Sequence, residues 1–358
     1  MALELPLIWS ETHRLHEPGG EIWVGVRTPG TELPARADAI REAVEAAGSP
    51  VVEAVAFPDE TALRFHDPAM AAWLRGAWEE WTRAGLDFDP GQDRVVPYLF
   101  PHPGLVGDLP LPDPTAATAR AGRWCFDTMT LVGPGTWEAA RGALDAAMTA
   151  AATAAADGAA YACCRPPGHH ATHDVFGGSC YLNNTAAAAG SLRDALGAPV
   201  AIVDIDAHHG NGAQSIFWSD PEVATASVHV DPGAGWFPHF LGFAGEHGGG
   251  AGEGSNLNAP LSPGSGDGPW LDAVANLCGF ARDAGAKGLV VALGVDAAGG
   301  DPESPLEVTA DGYREAGRLL GDLGLPTAIV QEGGYDLDRI GELVVATLEG
   351  FESAHPIA

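Results

Sequence analysis

Between residues 160 and 352 the chain alternates strand-length apolar runs with helix-length amphipathic stretches, and this alternation restricts the fold more than any other feature. The apolar runs fall at 160–164, 200–206, 223–229, 288–293 and 326–331, and helical patterns at 184–196, 270–284, 311–321 and 339–352. Short apolar runs of this kind mark strands buried on both faces. Joined by helices, such strands build a mostly parallel sheet with helices on both sides. Upstream, strands are expected at 5–9 and 51–57 and helices at 33–47, 69–84 and 136–156, with 17–32 reading as a glycine- and proline-rich loop. Trp78 and Trp81 share one face of the 69–84 helix and read as core or interface. No repeat or linker interrupts the pattern, so the expectation is one α/β domain over 1–358.

Residues 85–115 depart from this pattern. They hold seven prolines and no periodicity, and a segment that long without regular structure is expected to be a rim element or a subunit contact. The net charge is -30, with one lysine, Lys287, among 18 basic residues. Such a surface argues against nucleic acid and anionic membranes as partners and draws cations toward a cleft. Solubility, salt adaptation or a lysine-poor genome explains the acidity more simply than substrate steering does. Cys125, Cys163, Cys164, Cys180 and Cys278 form no CxxC pair and read as reduced, buried thiols. With no signal-peptide pattern and no long uninterrupted apolar stretch, the expected location is the cytoplasm.

The chemistry concentrates in 160–212, which carries His169-His170, His208-His209, Asp204 and Asp206. Asp204 and Asp206 are two apart and share a face while the chain is extended. Sites in open α/β sheets form beyond the carboxyl ends of the strands, and four strands here end in reactive groups. They deliver Arg165–His170, then Asp206 and His208, then Asp296, then Gln331–Tyr335. Imidazole and carboxylate converging at strand ends suit a borderline divalent ion such as zinc.

The segments RPPGHH, GGSCYLNN, DIDAHHGNG, LGVDAAGGDP and EGGY follow the order and spacing of the zinc-dependent histone deacetylase family, which the chain resembles over essentially its whole length. LRFHDPAMAAWLRGAW, GPGTWEAA and FPHFLGFA extend the resemblance to the bacterial acetylpolyamine amidohydrolases. The resemblance implies the three-layer arginase/deacetylase-like fold, with Asp206, His208 and Asp296 as ligands of one Zn2+. It implies His170 as general base and then acid, His169 as electrostatic support, and Tyr335 as the donor that polarises the carbonyl. Gly178 would offer its carbonyl oxygen to the substrate amide. Asp204 would orient His169 and, with Ser227 nearby, help hold a structural K+. His209 reads as a structural neighbour rather than a ligand, and His173, His229, His239 and His247 are unassigned. An arginase-type binuclear manganese centre would want an aspartate at 210, where this chain has glycine.

Two positions depart from the common family pattern. Asn211 replaces an aspartate beside His170, and a neutral partner leaves His170 unprotonated at pH 7. Ser179 replaces an aromatic wall of the substrate tunnel, so that wall is either missing or supplied by Trp236, Phe237, Tyr98 or Phe100. In the acetylpolyamine branch the matching insertion supports a homodimer and carries acidic residues toward the polyamine, for which Asp87, Asp89 and Asp93 are candidates. The expected activity is removal of acetyl, or a related acyl group, from a small cationic amine. The rivals are a deacetylase of protein acetyl-lysine, a hydrolase of bulkier amides, and a silent amine-binding protein.

Overall fold

The computed structural model describes residues 2–88 and 93–355. Among the described residues there are ten strands: β1 (Leu7–Trp9), β2 (Glu21–Trp23), β3 (Val26–Thr28), β4 (Val51–Glu53), β5 (Ala159–Ala162), β6 (Val200–Asp204), β7 (Val223–Val230), β8 (Asn256–Leu261), β9 (Gly288–Leu293) and β10 (Thr327–Gln331). Eight form one sheet in the order β4-β1-β5-β10-β9-β6-β7-β8. Every pairing in it is parallel, which requires a crossover connection between neighbouring strands. One face packs on the helices Pro34–Ala46, Asp267–Asp283, Ala310–Gly321 and Ile340–Ala354. The other is covered by Thr136–Asp157 and Asn184–Leu196, whose alanines let the helices approach the sheet closely. The five cysteines are free and buried, and no described helix is long and apolar enough to cross a membrane.

Four details differ from the sequence expectation. The loop at 17–32 contains the antiparallel hairpin β2–β3, with Glu21 opposite Thr28. Its turn places Val24 at φ 49° and Gly25 at φ 79°, the paired positive angles of a tight hairpin turn. Valine in a position that favours asparagine or aspartate hides that turn from the sequence. Strand β4 stops at Glu53 rather than reaching 57, because Thr149 and Asp145 of the helix accept the Val55 and Phe57 N–H groups. Edge strand β8 carries buried Asn256 and Asn258, both bonded to Gln214, in place of an apolar run. Short helices at Ala117–Trp124 and Asn211–Phe217 add to the expected set. Trp81 is buried in a third apolar cluster with Trp78 packed at its edge.

The 85–115 segment holds one short helix, Pro103–Val106, among its described residues. Its base is fastened beside the β2–β3 hairpin. Arg27 pairs with Asp93, Arg94 Nε donates to the Glu17 carbonyl at 2.9 Å, and Val95 bridges Val132.

Candidate active site

The four strands whose ends carry reactive groups are consecutive neighbours, β5-β10-β9-β6. Asp204 closes β6 opposite Ala292 of β9, and Gln331 closes β10 opposite Leu293. The chain segments that follow therefore emerge side by side at one edge, which brings residues from 168 to 335 together.

Asp206, His208 and Asp296 converge. His208 Nδ1 lies 3.3 Å from Asp206 Oδ1 and 3.0 Å from Asp296 Oδ2, and the three donor atoms all lie within 4.8 Å of one another. Donors held that far apart can each reach one ion at the roughly 2 Å bonds of a borderline divalent metal. Burial, then the neighbouring Asp206 carboxylate, pushes the Asp296 carboxyl up to about 7. Despite burial, the same two carboxylates hold the His208 imidazole well above its ordinary range. A site that attracts protons so strongly attracts a divalent cation for the same reason. Backbone donors fix the carboxylates: Gly333 N–H to Asp206 Oδ2 at 2.7 Å and Ala207 N–H to Asp296 Oδ1 at 2.8 Å. A Cβ at 333 would collide with both carboxylates, so only glycine lets this loop cross the site.

His169 and His170 pack with ring centroids 4.0 Å apart. His169 Nδ1 meets Asp204 Oδ2 at 2.9 Å. Burial lowers the pKa of His169, but Asp206 and Asp204 outweigh it and lift the ring to about 10. His170 has the opposite environment. Asn211 Nδ2 donates to the His170 carbonyl at 3.2 Å, which turns Asn211 Oδ1 toward His170 Nδ1 at 2.6 Å. Nδ1 therefore carries the proton, and Nε2 keeps a free lone pair. Burial, with His169 and His208 nearby, holds His170 well below its ordinary pKa. The two adjacent histidines are thus split into a cationic and a neutral partner.

A cavity of about 420 Å³ opens onto these groups. His170, His208, Tyr335 and Gly178 line it, with Ser179, Trp236 and Phe237 along its walls. Phe237 meets the His170 ring edge-on at 4.9 Å. The Gly178 N–H donates to Asp127 Oδ2 at 2.6 Å, which fixes the orientation of this peptide segment. Tyr335 sits on a loop held by Arg36, whose guanidinium lies 4.5 Å from the ring centroid and whose Nη2 donates to the Glu332 carbonyl at 2.7 Å. Burial keeps the Tyr335 phenol well above its ordinary pKa, so it is a hydrogen-bond donor at neutral pH.

A model of the histone deacetylase domain matches residues 31–351. The chain belongs to the histone deacetylase family. Acetylpolyamine amidohydrolase 1 of Pseudomonas aeruginosa is 40% identical over 97% of this chain and 99% of its own length. Acetylpolyamine amidohydrolase of Mycoplana ramosa is 39% identical over 96% and 98%. The crystal structure of acetylpolyamine aminohydrolase from Burkholderia pseudomallei superposes with a TM-score of 0.90 at 35% identity, covering 98% of this chain and all of that one.

The rest of this deacetylase-family site corrects several expectations. Tyr98 and Phe100 do not line the cavity, nor does any other described residue of 85–115. Asp93 pairs with Arg27, Asp87 is solvent-exposed away from the cavity, and Asp89 lies outside the described residues. The carboxylates that do line the cavity are Glu21 from the hairpin and Glu303 from the loop after β9, together with Trp23, Thr31 and Met129. Glu21 stands in a stretch read as plain loop, and no spacing rule pointed to it. His209 is buried, bonded to Gln214 at 3.0 Å and packed on His229 at 4.6 Å, and it is not part of the Asp206–His208–Asp296 cluster. Of the unassigned histidines, only His239 lines the cavity.

Proposed function

We propose that the chain is a zinc amidohydrolase that removes acetyl from a small amine bearing a second cationic group, as in an acetylpolyamine. One observation carries this reading. His170, His208 and Tyr335 line the cavity together with the carboxylates Glu21 and Glu303 and the indole of Trp23. An ammonium fits between two carboxylates and an indole face. The similarity to curated acetylpolyamine amidohydrolases supports the same substrate class.

Asp206, His208 and Asp296 would hold the zinc, which when bound would supply a Lewis acid for the amide carbonyl and a water of lowered pKa. His170 Nε2 takes the proton of the attacking water. It then passes that proton to the nitrogen of the breaking C–N bond, since an amine leaves only when protonated. His169, cationic beside Asp204, supports the developing negative charge. Tyr335 donates to the oxyanion from the opposite side. The Gly178 carbonyl accepts the amide N–H of the substrate and orients it. Products are acetate and the free amine.

We further infer one catalytic unit over 1–358 working in the cytoplasm as a homodimer. Exposed Trp23, Val24 and Val26 of the hairpin, Tyr98 and Leu99 of the 85–115 segment, and Phe240 favour a subunit contact. A structural K+ near Asp204 is supported by the register of Asp204 beside Ser227 on β7. A second reading, hydrolysis of bulkier amides, rests on Ser179, whose short side chain lines the cavity where an aromatic would narrow it. A screen of acetylated putrescine, cadaverine and spermidine against acetyl-lysine peptides and longer acyl amides decides between them. Preferred turnover of the acetylated polyamines supports the proposal; zinc-loaded protein that hydrolyses none of these amides overturns it.

The carboxylate pair also sets a pH dependence. Burial, then Glu303 and Asp127, pushes the Glu21 carboxyl up to about 7. Below that pH Glu21 is neutral and cannot pair with an ammonium; above it the charge is present. The KM for an acetylated diamine should therefore fall as pH rises through about 7. Glu21→Gln should flatten that dependence and raise KM about tenfold at pH 8, the worth of one charge-assisted bond of roughly 1.5 kcal/mol. N-butylacetamide, which lacks the second charge, should show neither effect in steady-state assays.

A further inference from the structure

We propose that Glu332 is a positioning residue that holds the histidine pair and Tyr335 in one frame. Its side chain is fully buried at the end of β10 and plays no part in the chemistry described above. Glu332 Oε2 accepts the backbone N–H groups of Gly168 at 2.6 Å and His169 at 3.0 Å. Oε1 accepts the Thr185 hydroxyl at 2.7 Å, at the start of the helix Asn184–Leu196. The Glu332 N–H donates to the Leu293 carbonyl of β9 at 2.8 Å, and its own carbonyl accepts Arg36 Nη2 at 2.7 Å. Arg36 also donates to the Gly334 carbonyl and lies against the Tyr335 ring.

One residue thus joins three parts of the site. Its carboxylate grips the loop that aims His169 and His170, while its backbone anchors the turn that carries Tyr335 three residues later. In the proposed mechanism the base and the oxyanion donor act on the same amide, so their separation must be fixed to well within an ångström. A carboxylate is suited to gripping two adjacent N–H groups, because one oxygen can accept from both. Burial pushes Glu332 up to about 7, against the opposing pull of the neighbouring His169 ring and of the Gly168 and Thr185 hydrogen bonds. His169, Cys180 and Glu332 also lie close enough together to suggest a second metal site. That alternative is weaker, since Asp204 takes His169 Nδ1 and three donors already occupy the Glu332 oxygens.

The proposal rests on the amidohydrolase reading, and the test separates the two. In zinc-loaded protein assayed with N-acetylputrescine, Glu332→Ala should lower kcat about 10- to 100-fold, the usual cost of losing an outer partner of a site. KM and zinc content should stay within about twofold, which a general loosening of the fold would not allow. Glu332→Gln should recover most of kcat, since its carbonyl oxygen can accept from Gly168 and His169 while its amide donates to Thr185. If Glu332→Ala does not fold, Thr185→Val removes one donor without touching the loop, and kcat should still fall several-fold, at the low end of that range. Wild-type kcat in Glu332→Ala, or in Thr185→Val where alanine is unfolded, overturns the proposal. So does a Glu332→Gln variant as impaired as alanine. Wild-type protein that hydrolyses no amide sinks the amidohydrolase reading instead. In that event the imidazole nitrogen signals of His169 and His170 in 15N-labelled protein still decide: unchanged spectra in Glu332→Ala, or in Thr185→Val, overturn the positioning role, and shifts restored by Glu332→Gln support it.

Discussion

His170→Ala is expected to lower kcat on an acetylated polyamine by about 10²–10⁴-fold, the contribution of a positioned general acid–base. His170 is the residue whose surroundings leave a basic nitrogen available at neutral pH. Asn211 fixes the proton on Nδ1, and burial beside two other imidazoles keeps Nε2 unprotonated. Alanine removes both the proton acceptor and the proton donor to the leaving amine. His169 cannot substitute, because Asp204 takes its Nδ1, and Asp206 with Asp204 outweighs burial and holds the ring up to about 10. The sign of the pH effect follows. His170 sits well below its ordinary pKa, so kcat/KM should hold its level as pH falls from 8 to 6 with a substrate lacking a second charge. Asn211→Asp would place a carboxylate 2.6 Å from Nδ1, raise the pKa of His170 and move the acid limb of the profile upward. The variants are compared by steady-state kinetics at matched zinc content. Residual activity within tenfold of wild type in His170→Ala would remove His170 from the proton-transfer role.

The residues that the sequence made legible are those whose position follows from one rule: reactive groups collect past the carboxyl ends of parallel strands. Asp206, His208, Asp296, His169, His170 and Tyr335 each follow an apolar run at short range, and β5-β10-β9-β6 bring those runs together. Asn211 was legible only through the family resemblance, which puts the partner of His170 at that position. Glu21 and Glu303 were not, because they reach the cavity from a hairpin and a loop whose placement depends on long-range packing. The hairpin itself is hidden by Val24 in a left-handed turn. Asp87 and Asp93 failed for a related reason. Net charge along a segment does not say which way it faces, and Arg27 takes Asp93. Asp127 and Glu332 act through backbone N–H groups of residues far off in sequence, and no local pattern encodes such a partner. β8 escaped because its buried positions carry asparagines satisfied by Gln214 rather than apolar side chains.

Tyr335→Phe is expected to lower kcat about 10²–10³-fold while leaving KM and zinc content near wild type, the signature of a donor felt only in the transition state. Phenylalanine preserves the ring that stacks under the Arg36 guanidinium at 4.5 Å, so the loop keeps its place and only the hydroxyl is lost. Its backbone N–H remains bonded to Asp301 Oδ2 at 2.8 Å, which anchors the same turn. A larger change, such as Tyr335→Ala, would confuse loss of the donor with loss of the Arg36 contact. Because burial holds the phenol protonated, wild-type activity should show no alkaline limb from Tyr335 at or below pH 10. If Tyr335→Phe instead raises KM with kcat unchanged, the hydroxyl binds substrate and transition state alike, and the oxyanion must be stabilised by other groups. Equal losses in Tyr335→Phe and in a Tyr335→Phe/His170→Ala double variant would mean that the two residues act as one unit across the amide. That is the coupling expected if Glu332 and Arg36 set their separation.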